Sequence, residues 1–166
     1  MIVGSNGFTY QVQKDWLTLP ADLSLGWIPA VAVDSQDRIY VYSRSDEPMV
    51  VFDRKGDFLF SWGAEVLQDA HGIFIDARDN IYCVERETHC MRKFNTEGQL
   101  LMTLGTPGQA GAEGQPFNLP TDLALDSRGD LYISDGYGNN RIHKYSAAGA
   151  WIKSWGTPGR GPGEFD

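Results

Sequence analysis

Three residues of this chain could do chemistry as a set. His71, in "DAHGIFIDARDNIY", carries an imidazole that can ligate a metal or move a proton. Arg44, in "VYSRSDEP", carries a guanidinium fork shaped for a carboxylate. Tyr137, in "SDGYGNN", carries a phenol suited to proton transfer. Arg86 and Asp135 add a second fork and a carboxylate in similar turns. These residues are far apart in sequence, so only a fold that stacks distant segments can gather them.

Such a fold is written in the sequence as a threefold repeat. The copies are "AVAVDSQDRIYVYSRSDEPMVVFDRKGDFLFSWG", "GIFIDARDNIYCVERETHCMRKFNTEGQLLMTLG" and "DLALDSRGDLYISDGYGNNRIHKYSAAGAWIKSWG". Asp34, Asp76 and Asp126 close the first apolar run of each copy, and Tyr40, Tyr82 and Tyr132 follow six residues later. Phe52, Phe94 and Tyr145 come next, followed by Gly56, Gly98 and Gly149, then Gly63, Gly105 and Gly156. In copy two the strands are expected at "GIFID", "NIYCVE", "CMRKF" and "QLLMTLG", separated by polar turns. Four short strands every 40 to 50 residues is the pattern of a β-propeller blade, so the expected fold is all-β with three four-stranded blades. A sandwich of hairpins would not repeat so tightly.

Blade geometry then predicts a meeting place. In an antiparallel blade the innermost strand starts beside the point where the second strand ends. The residue before strand one and the turn after strand two therefore share a face, and equivalent positions converge around a central channel. Pro29, His71 and Thr121 hold the first position, and "SRSDEP", "ERETH" and "DGYGNN" are the turns. His71, Arg44, Arg86, Asp135 and Tyr137 are thus expected to line one mouth. Each also has a plainer reading, as a satisfied turn histidine, solvated arginines, or a turn shaped by its glycines and asparagines.

Composition narrows the partners. With 14 Lys+Arg against 22 Asp+Glu and a formal charge of −8, a phosphate-backbone partner or an anionic membrane surface is disfavoured. No apolar run is long enough to cross a membrane as a helix, and "MIVGSNGFTY" lacks the regions of a signal peptide. The expectation is a cytoplasmic chain with reduced thiols. Cys83 and Cys90 flank the copy-two hairpin turn and could face each other as a disulfide, or join His89 as a metal pair. Two ordinary thiols is the reading favoured without an export signal. His89 and His143 read as surface or packing residues.

The expected organisation is an N-terminal strand and lead-in over 1–28, blade 1 over 29–63 and blade 2 over 64–105. A Gly/Pro-rich loop follows at 106–119, then blade 3 at 120–156 and the start of a fourth repeat at 157–166. "FTYQVQKDW" alternates like a strand that would join a last blade. "GEFD" matches "QPFN", so the sequence stops where another repeat would begin. Three blades do not close a ring, which implies either a fragment or a homodimer assembled as three plus three.

The landmarks "AVAVDSQDRIYV", "VVFDRKGDFLFSWG" and "NNRIHKYSAAGAWIKSWG" resemble the NHL-repeat family, which implies half of a six-bladed propeller. Within it, "VAVDSQDRIYVYSR", "AHG" and "LPTDLALDSRGDLYISDGYGNNRI" are similar to the peptidyl-α-hydroxyglycine α-amidating lyases and their bacterial relatives. That resemblance implies cleavage of an α-hydroxyglycine peptide to a peptide amide and glyoxylate. It assigns Arg44 to the substrate carboxylate, Tyr137 to the proton and His71 to zinc. It also implies a calcium held by the Val31 and Ile73 carbonyls. The family's other two zinc histidines and an aspartate ligand of calcium belong to later blades. "AHG" also stands where "PHG" is the commoner form. The alternative is a non-catalytic NHL module that binds a peptide or protein. A further one, an RNA-binding NHL domain, is opposed by the acidic balance.

Overall fold

Each repeat is folded by the aspartate that closes its first apolar run. Asp34 Oδ1 accepts from the backbone N–H of Gln36 and of Arg38, each at 2.9 Å, while Oδ2 accepts from Tyr40 Oη at 3.2 Å. Asp76 does the same with Arg78, Asn80 and Tyr82, and Asp126 with Arg128, Asp130 and Tyr132. One carboxylate thus ties the turn and fastens it to the next strand. The turn needs a left-handed residue, supplied by Asp37 and Asp79 at φ 59° and by Gly129 at φ 83°.

In the computed structural model, which describes residues 1–111 and 117–166, these turns join three four-stranded antiparallel sheets. The first holds β3 (Trp27–Val33), β4 (Ile39–Arg44), β5 (Met49–Phe52) and β6 (Phe58–Trp62). The second holds β7 (Ala70–Ile75), β8 (Ile81–Glu85), β9 (Cys90–Phe94) and β10 (Leu100–Gly105). The third holds β11 (Asp122–Leu125), β12 (Leu131–Asp135), β13 (Arg141–Tyr145) and β14 (Trp151–Trp155). The chain is nearly all-β, and the sheets are propeller blades. Between β12 and β13 a single helical turn, α1 (Gly136–Asn139), departs from the all-strand pattern.

β1 (Ile2–Ser5) and β2 (Phe8–Gln11) form a separate exposed hairpin, so "FTYQ" pairs with the residues just before it instead of extending a blade. β15 (Thr157–Pro158) and β16 (Glu164–Phe165) make a short parallel pair. Of the expected Gly/Pro-rich loop, 112–116 lie outside the described residues.

The core lies between blades. Tyr40, Tyr42, Met49 and Val51 of the first blade pack against Ile81, Cys83 and Phe94 of the second. Tyr82, Val84 and Met91 of the second pack against Leu131, Ile133 and Tyr145 of the third. The lead into each blade adds one wedge: Leu67 fills the first junction, and Phe117, fully buried at φ 65°, fills the second. Burying a side chain of that size contributes about 2–3 kcal/mol.

Cys83 and Cys90 are both free and buried. The hairpin turn sets a register that places Cys83 opposite Arg92 and Cys90 opposite Glu85, so the thiols do not face each other. Burial pushes the Cys83 thiol well up, and Cys90 shifts the same way.

Burial would raise the Asp34 carboxyl, but the hydrogen bonds from Arg38 and Gln36 outweigh it and hold it below the ordinary value. A lowered folded value means that the stabilisation is complete above the unfolded carboxylate value and is lost as pH falls through the folded one. Asp34→Asn should therefore lower the unfolding free energy by about 1–3 kcal/mol at neutral pH. In denaturant titrations repeated across pH, that deficit should shrink as pH falls below about 4.

Candidate functional site

The mouth is assembled by contacts that cross from blade to blade. Arg44, at the end of β4, donates Nε–H to the carbonyl of Ala70 at 2.9 Å, the residue just before His71. The same Nε lies 3.2 Å from Asp69 Oδ1. Asp69 Oδ2 in turn faces Arg86 Nε at 3.4 Å and accepts from the Glu87 N–H at 2.9 Å. One carboxylate thus holds two guanidinium groups, both partly buried. Among the described residues, Arg44 Nη1 and Nη2 have no partner, which leaves the two-pronged edge of the fork for a ligand.

His71 reaches the third blade. Its Nδ1 lies 2.8 Å from the Thr121 carbonyl oxygen. A carbonyl only accepts, so Nδ1 carries a proton, and in the neutral ring the lone pair is on Nε2. This is how metal-binding histidines are commonly oriented. Thr121 is itself anchored, its N–H on the Ser134 carbonyl at 2.8 Å and its Oγ1 on Ser134 Oγ at 2.6 Å. The Tyr137 ring stands edge-on to the His71 ring, centroids 5.7 Å apart at 71°. Tyr137 sits on α1 and is 62% exposed, and its hydroxyl has no partner among the described residues. Tyr137 therefore stands against the His71 ring, and Arg44 reaches the backbone one residue before His71, so each of the three blades contributes one of these residues.

Two of the other expected residues are placed differently. Arg86 is next to Arg44 through Asp69. Asp135 does not line the mouth: it is fully buried. Its Oδ1 accepts from the Asn118 N–H at 2.8 Å, and its Oδ2 contacts Asn139 Nδ2 at 2.6 Å and His143 Nε2 at 3.1 Å. Glu85 plays the matching part in the second blade. It accepts from the Gln68 N–H at 2.6 Å and pairs with Arg92. These carboxylates pin the lead-in segments that deliver His71 and Thr121. The sequence signal was a carboxylate and a nitrogen-bearing side chain at matching positions of copies two and three, Glu85 with Arg92 and Asp135 with His143. His89 has a packing role, with φ 55° and its Nδ1 accepting from the Leu119 N–H at 3.1 Å.

Below the mouth, the innermost strands enclose a cleft of about 340 Å³ lined by Pro29, Val31, His71, Ile73, Thr121 and Asp122, among others. Asp122 is a carboxylate here that sequence reasoning passed over. Val31 and Ile73 hold matching places on β3 and β7, the innermost strands of their sheets. Gly72 is required by the closeness of the blades. A Cβ there would lie 2.7 Å from the Thr121 carbonyl oxygen and 2.8 Å from Asp122 Oδ1.

The described residues do not by themselves make up a zinc site. They contain no group of three or more His, Cys, Asp or Glu side chains able to hold an ion, and the mouth offers one imidazole nitrogen. A catalytic zinc takes three protein ligands.

The NHL repeat profile matches residues 117–145, the span from the Phe117 wedge to the end of β13. The chain carries an NHL repeat. NHL repeat-containing protein 3 from Homo sapiens is 32% identical over 95% of this chain and 49% of its own length. Peptidyl-α-hydroxyglycine α-amidating lyase 1 from Drosophila melanogaster is 46% identical over 33% of this chain and 10% of its own length. The fold is similar to that of a catalytically inactive virginiamycin B lyase from Staphylococcus aureus solved with quinupristin. That match has a TM-score of 0.57 at 13% identity, over 89% of this chain and 44% of that one. The chain thus spans about half the length of its NHL repeat-containing relative and far less of the amidating lyase. No helix among the described residues is long and apolar enough to cross a membrane.

Since Gly72 sits against the carbonyl that holds His71, Gly72→Ala should cost about 1–3 kcal/mol of stability through the forced separation of the blades. Thermal unfolding of the variant beside Gly136→Ala, where a Cβ would meet nothing nearer than 3.8 Å and φ is not left-handed, measures this. The Gly72 variant should be the less stable of the two.

Proposed function

We propose that the mouth recognises the carboxylate of a small peptide-like substrate and moves its proton in an amidating-lyase-type cleavage. The observation that carries this is that Arg44 and His71 each bond to the next blade's backbone while the Tyr137 ring stands against His71. The partial likeness to amidating lyases supports the reaction class.

The residues fit the reaction as follows. The free edge of Arg44 pairs with the substrate's terminal carboxylate and fixes the adjacent carbinol carbon. Tyr137 Oη is the base that takes the carbinol hydroxyl proton. The electrons of that O–H bond become the C=O of glyoxylate as the C–N bond breaks, and the leaving amide nitrogen receives the proton back from Tyr137 Oη. His71 offers Nε2, with its ring locked, to the same space. The zinc and the calcium implied by the family resemblance belong to this proposal only in a protein that supplies the missing ligands. The calcium would use the Val31 and Ile73 carbonyls.

A second reading is a non-catalytic peptide-binding module. The donor set at the mouth and the similarity to NHL repeat-containing protein 3 along nearly the whole chain favour it.

The test compares a short peptide ending in α-hydroxyglycine with its C-terminal amide. Calorimetry should show the free acid binding more tightly, with Arg44→Gln weakening that peptide alone by roughly tenfold or more. Glyoxylate release should be lost in Tyr137→Phe. Equal affinity for acid and amide would overturn carboxylate recognition. Selective binding with no glyoxylate would favour the module.

A further inference from the structure

At the end of the blades away from the mouth, the two blade junctions are built differently. At the first junction, Ser35 bridges to the next blade: its N–H and Oγ–H donate to the two Asp79 carboxylate oxygens at 2.8 and 2.6 Å. At the second junction the matching residues are Ala77 and Gly129, so both halves of the bridge are missing. A cleft of about 430 Å³ is left open there, lined by Tyr82, Arg78, Lys93 and Arg128 and by the carboxylates Asp76 and Asp126, among others.

A lysine differs in parallel. In the third blade, Lys144 is absorbed by its own sheet: Nζ donates to Tyr132 Oη at 2.7 Å and pairs with Asp130 at 3.0 Å and Asp126 at 3.4 Å. Lys93 is its counterpart in the second blade. There Asn80 stands in place of Asp130, and its Nδ2 already donates to Asp76 at 2.8 Å. Lys93 Nζ instead sits 5.1 Å from the centroid of the Tyr82 ring. Among the described residues, neither Lys93 nor Arg78 has a carboxylate partner. Arg128 shares only Nη2 with Asp126 and Asp130, at 3.3 Å each.

We infer that the cleft between the second and third blades binds a small anion of the phosphate or carboxylate type, with Lys93 as its central donor and the Arg78 and Arg128 guanidinium groups at its rim. The repeat supplies its own control. Where Ser35 and Asp79 are present the junction is bridged, and where they are replaced by Ala77 and Gly129 three cations face an open space, with Asp76 held by its own turn and Asp126 already shared by Arg128 and Lys144. A part-buried ammonium against an aromatic wall is a stronger anion donor than a free surface lysine, because less water competes for it. The chain's overall charge of −8 opposes anions in general, so binding here would have to be local.

The test is a nuclear magnetic resonance titration of the isotope-labelled chain at low ionic strength, with inorganic phosphate and, separately, succinate. Saturable shifts are expected at Arg78, Lys93 and Arg128, with His71 and Tyr137 unmoved. Lys93→Gln should weaken binding by roughly tenfold or more. Ala77→Ser combined with Gly129→Asp, which restores the bridge of the other junction, should abolish it. A response to phosphate but not succinate would assign the ligand to phosphate chemistry, and the reverse to carboxylate chemistry. No saturable shift with either anion, or equal affinity in Lys93→Gln, would overturn the inference. Should the double variant fail to fold, Lys93→Gln decides alone.

Discussion

Neighbouring blades are joined at their inner ends by side chains that donate to the next blade's backbone carbonyls, and the mouth depends on those contacts. Arg44 bonds to the oxygen before His71, and His71 bonds to the oxygen of Thr121. A carbonyl oxygen accepts and never donates, so each contact fixes a direction as well as a distance. The His71 ring can present only Nε2 outward, and Arg44 can present only its Nη edge. Both orientations follow from the spacing of the blades, which follows from the packing of Leu67 and Phe117 between them.

That packing is specified by the repeat, and function gathers where the repeat is broken. The aspartate-to-tyrosine tie is the same in all three blades, whereas the matching position at the start of the first strand, inside β3 and β7 and just ahead of β11, is Pro29, His71 and Thr121 in turn, so β3 and β7 begin earlier than the sequence reading placed them. The turn after the second strand is likewise unequal: Arg44 lies at one, Arg86 at another and Tyr137 on a helical turn at the third. At the opposite end, the loss of a bridging serine and aspartate opens a cleft. A repeat scaffold holds its shape by nearest-neighbour contacts, so positions outside those contacts are free to diverge.

Much of this was legible in the sequence. The strands of copy two appear close to where alternation and polar turns placed them, and the landmark Asp, Tyr and Gly residues do the same work in every copy. The approach of Arg44 to the segment before His71, and of Tyr137 to the His71 ring, was legible because antiparallel pairing alone puts strand starts beside strand ends. Asp135 was misplaced because its partners, Asn118 and His143, lie on a separate lead-in and on the next strand, and no local pattern says that a turn carboxylate points inward. Cys83 and Cys90 are the ordinary free thiols that the sequence favoured, and the register set by the turn between them offsets the two sulfurs. Asp122 was passed over because an acidic residue opening an exposed strand looks like ordinary surface.

The most direct measurement of this account is the protonation of the His71 ring, read from nitrogen–proton correlations of the imidazole at pH about 8, where an ordinary histidine is neutral. The cross-blade contact predicts a proton fixed on Nδ1 and a lone pair on Nε2. A neutral ring with its proton on Nε2 would mean that the Thr121 carbonyl does not hold His71, and the mouth described here would not exist in solution.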